Sequence, residues 1–177
     1  AADPTIFNID ALRTDIRRDQ KLIAVLLEMC DALAAKDDKM QAFASLLADI
    51  RTRQPAGKKI LVFSYYTDTV EYLQTALGGY YRNEDLSSFT DYTVGKTKGQ
   101  IEKLAKRFSP NSKNGNAEVK QEGEIDLLFA SDVLSEGQNL QDCGVLVNFD
   151  LHWNPVRMIQ RNGRINRLGS EHQDVYV

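Results

Sequence analysis

The sequence has 177 residues, of which 42% are hydrophobic and 27% charged, and its formal net charge is −3. These values are typical of one globular domain with a sizeable core, and they exclude a disordered chain. They also exclude binding to nucleic acid through overall basicity, so any such contact must be local or shared with a partner.

Cysteine usage and hydropathy favour an intracellular protein. Cys30 and Cys143 lie far apart in the chain without metal-ligand spacing, so we expect both to be reduced and buried. Apolar runs such as "LIAVLL" are too short to cross a bilayer, and the N-terminus lacks a signal-peptide pattern. We therefore expect a cytoplasmic protein with no membrane partner.

The beginning of the chain predicts a helical lead-in. Apolar residues recur three and four positions apart over residues 22–33 and again over 43–50, with "KDDK" between the two runs. This spacing is typical of two amphipathic helices. We assign residues 1–55 to a lead-in that packs on the domain formed by residues 56–177.

The next segments alternate between strand and helix patterns. "KKILVFSYY" is rich in β-branched and aromatic residues and predicts a buried strand, and "TDTVEYLQTAL" predicts the helix that follows it. "DYTVG" predicts a short strand, and "TKGQIEKLAKRF" predicts a basic amphipathic helix. The stretch "SPNSKNGNAEVKQEGE" is rich in turn residues and predicts an exposed loop.

The last part of the chain repeats this alternation. "IDLLFAS" and "GVLVNFD" predict two more buried strands, residues 155–168 predict a helix, and "DVYV" predicts a short final strand. Buried strands that alternate with helices predict an α/β fold with a mainly parallel sheet. Ligands of such folds bind at the carboxyl ends of the strands, here near Ser64, Ser131 and Asp150.

The predicted last helix carries a concentration of arginine. Residues 151–170 contain no acid and four arginines, which are Arg157, Arg161, Arg164 and Arg167. Asn154 and Pro155 suit the start of this helix, and at about 100° per residue Gln160 shares one face with Arg164 and Arg167. That face predicts an anion-binding site. The alternative is a solvated face, or arginines paired with acids from distant segments.

Three further features have weaker functional interpretations. Trp153 and Tyr66 are predicted to pack, which is the usual role of a large aromatic side chain. His152 has no second ligand nearby in the sequence, so neither a metal nor a catalytic role is predicted for it. Lys96 and Lys98 lie at the start of a basic helix that could follow a phosphate backbone. A solvated helix face explains these lysines almost as well.

Three segments, taken in order, resemble a known set of motifs. "KILVFSYYTDT", "ASDVLSEGQNLQ" and "NFDLHWNPVRMIQRNGRINRLGS" are similar to motifs IV, V and VI of the second RecA-like lobe of superfamily-two helicases. The run "SEGxNLQ", followed by "DLHWNP" and "QRxGRIxR", most resembles the bacterial Swi/Snf-type ATPases, the group of RapA and HepA-like proteins. The resemblance covers residues 56–177 and implies a three-layer RecA-like fold.

The resemblance implies roles for the arginine-rich helix. In the family, the arginines of motif VI act as fingers on the phosphates of ATP, which implies a catalytic role for Arg164 and Arg167. Gln160 corresponds to a residue that positions ATP, and Gly163 to a small residue that allows close approach. Arg161 corresponds to a structural position.

The other motifs imply contacts with the nucleotide and with nucleic acid. Gly137 permits a turn, and Asn139 matches a position near the ribose of ATP. The residues that we expect to couple this site to nucleic acid, or to contact nucleic acid, are Ser64, Ser131, Asp132, Lys96 and Lys98.

The sequence departs from the family pattern in several places. Asn162 stands where isoleucine is usual and Ser170 where glutamine is usual, and the family's arginine near Gln100 is missing. No "GxxxxGK[ST]" phosphate loop and no acidic magnesium-binding box occurs. The resemblance therefore implies a fragment of a larger ATPase whose first lobe holds the phosphates and Mg²⁺, with no metal site in this chain.

The function implied is that of the C-terminal lobe of a Swi/Snf-type, DNA-dependent ATPase that translocates on or remodels duplex nucleic acid. It would use ATP and Mg²⁺, and its partners would be the first RecA-like lobe of the same protein and duplex DNA, with RNA as the alternative. The isolated chain is expected to be inactive. A bacterial cytoplasmic location is expected, with association to the nucleoid left open. Two alternatives stay open: a RecA-like binding module that does not hydrolyse ATP, and a strand-separating or RNA-directed helicase.

Overall fold

The residues described by the computed structural model are 8–34, 36–53, 59–80, 90–131, 138–166, 170, 172 and 174–177. The chain forms two units, residues 1–42 and 43–177. The first unit contains helix α1 (Ile9–Ala34) and the start of helix α2 (Asp38–Arg53), which continues into the second unit.

Both of these helices begin where a polar side chain accepts a backbone N–H. Asn8 Oδ1 accepts the N–H of Ala11 at 3.1 Å, and Asp37 Oδ1 accepts the N–H of Met40 at 2.8 Å. Such caps satisfy donors that the first helical turn leaves without a partner. The two predicted helices are therefore confirmed. The packing of the lead-in on the following domain and its boundary at residue 55 stay predictions.

Four described strands form a single sheet in the second unit. In chain order the elements are β1 (Lys59–Ser64), α3 (Thr67–Tyr80), β2 (Thr90–Tyr92), α4 (Lys98–Phe108), α5 (Pro110–Lys113), α6 (Asn116–Glu122), β3 (Leu127–Ser131), β4 (Cys143–Asn148) and α7 (Pro155–Ile165). The strand order is β2-β3-β1-β4, and every neighbouring pair is parallel. The predicted α/β fold with a mainly parallel sheet is confirmed.

One face of the sheet packs on α4 and α7. Successive side chains of a strand point to opposite faces, so Leu61 and Phe63 of β1 share a face. They form one buried cluster with Leu104 and Phe108 of α4 and with Ile165 of α7. Burial of a large apolar side chain contributes about 1.5–3 kcal/mol to stability, so these contacts fix both helices on the sheet.

The opposite face of the sheet packs on α3 and on α2 from Phe43 onward. Phe43 of α2 meets the rings of Phe129 and Phe149 edge to face, with centroid distances of 6.3 and 5.1 Å. Val70 and Leu73 of α3 are buried, and α3 contacts β1 and β3. Helices on both faces give the three layers that the resemblance implies.

The segment "SPNSKNGNAEVKQEGE", for which the sequence predicts an exposed loop, forms helices α5 and α6, so that prediction is wrong. The carboxylate of Asp142 accepts two backbone N–H groups in the first turn of α5, at 2.7 and 3.0 Å. Glu118 of α6 pairs with Lys106 of α4 at 2.9 Å. At Gly115 an added Cβ would lie 2.1 Å from the carbonyl oxygen of Lys106, so only glycine allows this approach. These tertiary partners stabilise helices that the local sequence does not indicate.

Three smaller predictions also differ from the structure. The last helix ends at Ile165, before the predicted end, because the next residue adopts an extended backbone. The segment "DVYV" forms an isolated parallel bridge between Val145 and Tyr176 rather than a strand. Cys143 is buried as predicted, whereas Cys30 is exposed.

Candidate nucleotide and nucleic-acid site

The carboxyl ends of the strands meet at one edge of the sheet. Ser64 at the end of β1 is in register with Ser131 at the end of β3, and Phe63 is in register with Asn148 of β4. The N–H of Ser131 donates to Thr93 Oγ1 at 3.2 Å. The structure thus brings together two predicted site residues, Ser64 and Ser131, and buries both of them.

Asp150, which follows β4, joins this strand to the end of β1. One carboxylate oxygen accepts the hydroxyl of Ser64, and the other accepts the N–H of Tyr65 at 2.8 Å. The N–H of Tyr66 donates to Ser64 Oγ at 3.2 Å. The Ser64 hydroxyl is therefore engaged inside the domain, and its contact with nucleic acid stays a prediction. Sequence reasoning missed this role of Asp150, although an acid directly after a buried strand was the available signal.

Arg161 is the buried arginine of α7, with a side chain that is 1% exposed. Its Nη1 donates to Asn148 Oδ1 at 3.2 Å and to the carbonyl oxygen of Asp150 at 3.5 Å. Its guanidinium carbon lies 5.3 Å from the centre of the Phe63 ring, which is within the range of a cation–π contact. Arg161 therefore anchors α7 to the ends of β1 and β4, which fits the structural role that the resemblance implies.

The start of α7 agrees with its prediction. Asn154 Oδ1 accepts the N–H of Val156 at 3.0 Å, and Pro155 occupies the first helical position. Proline suits this position because its missing N–H would have no partner within the helix. The cap therefore fixes the direction in which α7 leaves the carboxyl edge of the sheet.

Helix α7 carries Gln160 and Arg164, two of the residues predicted to contact ATP. Gln160 is exposed, as is Arg157, and Arg164 is half-buried. At Gly163 an added Cβ would meet no atom of the described residues within 4 Å. Glycine inside a helix costs about 0.5–1 kcal/mol relative to alanine. Packing among the described residues does not explain this glycine, so the open space beside it is the feature to be explained.

The residues that precede β4 lie beside the end of α7. The N–H of Leu140 donates to the carbonyl oxygen of Arg164 at 3.1 Å, which brings Asn139 close to this helix. Asn139 Nδ2 donates to Gln141 Oε1 at 3.0 Å. Among the described residues, the amide oxygens of Asn139 and Gln138 are buried and have no hydrogen-bond partner. Buried acceptors without a donor are rare in folded proteins, so these two oxygens could accept a hydrogen bond from water or from a ligand.

An aromatic cluster (Tyr65, Tyr66, His152 and Trp153) follows the ends of β1 and β4. The ring of Tyr65 lies 4.9 Å from that of Tyr66 and 4.6 Å from that of His152, which lies 5.5 Å from Trp153. Trp153 is 86% exposed, so the prediction that it packs is wrong for the described part of the chain. Tyr66 packs on Tyr65 but stays 60% exposed. Exposed aromatic side chains grouped in this way are typical of binding surfaces.

The basic side chains of α4 and of Lys96, which lies just before it, are mostly paired. Lys96 Nζ lies 2.8 Å from Asp91, whereas Lys98 is exposed at the start of the helix. The pairs along α4 are Lys103 with Glu122, Lys106 with Glu118, and Arg107 with Asp91. The bond from Lys106 lowers the pKa of Glu118, and the bond from Lys103 lowers the pKa of Glu122. Most of the charge on α4 is therefore neutralised inside the domain.

The described residues also bear on the membrane and metal predictions. None of the helices that they form combines the length and the apolar character needed to cross a bilayer. Nor do three of their His, Cys, Asp or Glu side chains come close enough together to hold a metal ion. The predicted location of Mg²⁺ on another part of the protein stays a prediction.

Comparison with known protein families gives a match over most of the chain. The family described as "Helicase conserved C-terminal domain" matches residues 38–169. The chain belongs to this helicase family. The matched residues contain motifs IV and V completely and motif VI up to Gly169. The resemblance to the second lobe of superfamily-two helicases is therefore confirmed.

The helicase lobe has relatives among the curated proteins. The "Uncharacterized ATP-dependent helicase YqhH" of Bacillus subtilis is 29% identical over 90% of this chain and 24% of that protein. The "RNA polymerase-associated protein RapA" of Vibrio cholerae is 32% identical over 75% of this chain and 12% of that protein. The lobe thus spans less than a quarter of the length of either relative. The similarity to RapA confirms the bacterial Swi/Snf-type group that the motifs indicate.

Solved helicase structures share the fold of this lobe. The C-terminal part of the Fun30 ATPase domain superimposes with a TM-score of 0.57 at 20% identity, covering 96% of this chain and 52% of that chain. Domain 2 of the DEAD-box helicase Mss116p, solved bound to an RNA duplex, gives a TM-score of 0.55 at 18% identity, covering 78% of this chain and 49% of that chain. These identities show the fold alone, and the RecA-like prediction is confirmed.

Two of the residues predicted from the motifs lie on segments that are bonded to each other. The N–H of Leu140, which follows Asn139, donates to the carbonyl oxygen of Arg164. The three predicted site residues that lie outside the described residues are Asp132, Gly137 and Arg167. Their roles, like those of the described site residues, stay predictions.

Proposed function

We propose that this lobe is the C-terminal part of a Swi/Snf-type, DNA-dependent ATPase that translocates on or remodels duplex DNA. The observation that carries the proposal is the way in which α7 is attached to the sheet. Its arginine side chains project from a helix that the buried Arg161 anchors at the carboxyl edge of the sheet, where ligands of α/β folds bind. The relative YqhH is named as an ATP-dependent helicase, which supports ATP as the nucleotide.

Arg164 and Arg167 would act on the phosphates of ATP. As water attacks the γ-phosphate, negative charge spreads over its oxygens, and a guanidinium placed beside them stabilises that charge. The planar fork of an arginine can donate two parallel hydrogen bonds to a phosphate. Gln160, on the exposed side of the same helix, would position the nucleotide, and the open space beside Gly163 would admit a phosphate close to the backbone.

The buried amides of Gln138 and Asn139 fit a different part of the nucleotide. Their oxygens accept hydrogen bonds but cannot donate them, so they suit ribose hydroxyls and not phosphate oxygens. Because they lie beside the end of α7, the ribose would sit near residues 138–139 with the phosphates toward Arg164. This agrees with the position that the family resemblance gives to Asn139.

Mg²⁺ is assigned to the first RecA-like lobe, which this proposal requires as a partner. Among the described residues of this lobe, no three His, Cys, Asp or Glu side chains come together. Mg²⁺ bound elsewhere would neutralise phosphate charge. What this chain contributes is the placement of arginines, the recognition of ribose and the exclusion of water by the packed edge of the sheet.

Nucleic acid would bind at the same edge, on the aromatic cluster and on Lys98. Aromatic rings can pack on bases and sugars, and an exposed lysine contributes a phosphate contact that weakens with salt. The net charge of −3 limits such contacts to a local surface. Ser131 and Asp132 would connect this surface to the nucleotide. We propose duplex DNA as the substrate in a cytoplasmic enzyme, with RNA as the alternative that a comparison of the two would decide.

The test is nucleic-acid-stimulated ATP hydrolysis by the full-length protein. Phosphate release is measured without nucleic acid, with duplex DNA and with duplex RNA, and stimulation by DNA is expected. Stimulation by RNA alone would favour an RNA-directed helicase, and no turnover under any condition would favour a binding module. The isolated 177-residue chain should show negligible turnover. DNA-stimulated turnover by that chain alone would contradict the need for a first lobe.

A further inference from the structure

Asp150 contacts both of the parts that the proposed function requires to act together. On one side its carboxylate accepts the Ser64 hydroxyl and, at 2.8 Å, the N–H of Tyr65, the first residue of the aromatic cluster. On the other side its carbonyl oxygen accepts Arg161 Nη1 at 3.5 Å, and its carboxylate lies 4.0 Å from the same nitrogen. A single residue therefore connects the aromatic cluster with α7.

These contacts are shielded from solvent. Ser64 and Arg161 are both fully buried, and the side chain of Asp150 is 19% exposed. Hydrogen bonds to an ionised group are strong in such surroundings, and water cannot easily replace them. The turn at Tyr65 is therefore bonded to Asp150, and Asp150 in turn contacts Arg161, which gives a continuous path of contacts between them.

We infer that Asp150 is a positioning residue that couples nucleic-acid contact at the aromatic cluster to the placement of α7. The inference rests on the proposed function. Asp150 touches neither ATP nor its reacting atoms; it acts through Arg161, which precedes Arg164 by about one helical turn. Coupling between two sites is reciprocal, so ATP binding should change DNA affinity by the same link through which DNA changes ATP binding.

Asp142 provides a matched control on the opposite end of the same strand. Its carboxylate also accepts two backbone N–H groups, those of Asn111 at 2.7 Å and Ser112 at 3.0 Å, and it is also buried. These bonds hold α5, and none of the contacts described for Asp142 reaches α7's Arg161. Asp142→Asn therefore removes the same kind of structural bond without touching the proposed connection.

The experiment compares Asp150→Asn with Asp142→Asn in the full-length protein. Two quantities are measured: the ratio of DNA-stimulated to basal ATP turnover, and the change in duplex-DNA Kd caused by a non-hydrolysable ATP analogue. Because coupling between sites is typically roughly 5- to 150-fold, Asp150→Asn should reduce both by about tenfold and Asp142→Asn by less than about twofold. If Asp150 had a merely structural role, both quantities would fall by the same factor in the two variants. That result would overturn the inference, and so would wild-type values of both quantities in Asp150→Asn.

Asp150→Glu serves if Asp150→Asn does not fold, as judged by thermal unfolding. It keeps the charge near Arg161 but moves the carboxylate by one methylene relative to Ser64 and Tyr65, so the stimulation ratio should still fall. Wild-type stimulation in Asp150→Glu would overturn the inference. If the wild-type protein shows no nucleic-acid-stimulated turnover, the proposed function itself fails and the inference with it. The two failures are thus distinguishable.

Discussion

The two basic helices of this lobe, α4 and α7, use their charges in different ways. Three basic side chains of α4 pair with acids of α6 and β2. On α7, Arg161 is buried against the oxygens of Asn148 and Asp150, and Arg157 is exposed without an ion pair in the part of the chain that the structure describes. The charge of α4 is used inside the fold, whereas α7 combines one anchoring arginine with the exposed Arg157 and the half-buried Arg164.

The role of the basic side chains on a helix therefore cannot be inferred from the sequence of that helix alone. Neither helix alone shows why the two should differ, because the acids that neutralise α4 lie on other elements: Glu118 and Glu122 on α6, and Asp91 on β2. Mutations on the two helices should therefore have different consequences.

The largest expected effect is the loss of catalysis on α7. Arg164→Ala in the full-length protein should reduce DNA-stimulated ATP turnover by about a thousandfold or more, the contribution typical of an arginine finger. Arg167→Ala should behave alike. Arg164→Lys should restore little, because lysine keeps the charge but lacks the planar fork. Phosphate release measures the effect, and Arg157→Ala is the milder control on the same helix. If Arg164→Ala kept near-normal turnover, or lost turnover only because it unfolds in circular dichroism, the basic side chains of α7 would have a structural role like those of α4.

The next effect is on stability. Arg161→Ala should lower the free energy of unfolding by about 3–5 kcal/mol, because it removes a fully buried guanidinium and leaves partly buried oxygens of Asn148 and Asp150 without their donor. Arg157→Ala, an exposed change on the same helix, should alter it by less than about 0.5 kcal/mol. Denaturant unfolding of the isolated chain measures both values. Equal effects would show that α7 does not depend on Arg161 for its anchoring.

A smaller effect is expected in DNA binding. Lys98→Ala should weaken duplex-DNA binding and reduce the salt slope by about one, as expected for the loss of one phosphate contact. Lys106→Ala should change neither quantity, because Lys106 is already paired with Glu118 at 2.9 Å. Fluorescence anisotropy over a series of salt concentrations gives both numbers. An equal loss in the two variants would mean that the α4 pairs open when DNA binds, and the contrast would disappear.

The smallest effect is the pH dependence of α6. Hydrogen bonds from Lys106 and Lys103 hold the pKa values of Glu118 and Glu122 below the usual 4.5. A lowered pKa in the folded state stabilises the fold above the unfolded pKa, and this stabilisation is lost as the pH falls through the folded pKa. Amides of residues 116–122 should therefore exchange faster below pH 4.5 than the intrinsic rate change predicts. Glu118→Gln should remove part of this dependence, and unchanged protection would show that the pairs contribute nothing.

The sheet was the most predictable part of the fold. The segments of β1 and β3 are buried at every position, so their apolar runs carry the information for strand and burial together. Asn154 and Pro155 likewise marked the start of α7 correctly, since a helix cap is a local property. Local rules succeed where the determining partners are close in sequence.

The errors occur where the partners are distant. Helices α5 and α6 depend on Asp142 and on the lysines of α4, which no window over their own polar residues can reveal. Trp153 was predicted to pack because that is its usual role, yet its neighbours leave it exposed. The predicted nucleotide contacts of Asn139 and Arg164 came from motifs; the structure adds their proximity, through the bond of Leu140.

The strand order also has a consequence for synthesis of the chain. β1 is made before the other strands but lies inside the sheet, between β3 and β4, which are made last. Until residues 127–148 have left the ribosome, both edges of the apolar segment "KILVFS" lack their partners. An unpaired apolar strand is a template for aggregation, and pairing between distant segments is slow. The apolar segment of β1 is therefore exposed for as long as translation takes from β1 to β4. A chaperone that shields extended apolar segments should act in that interval.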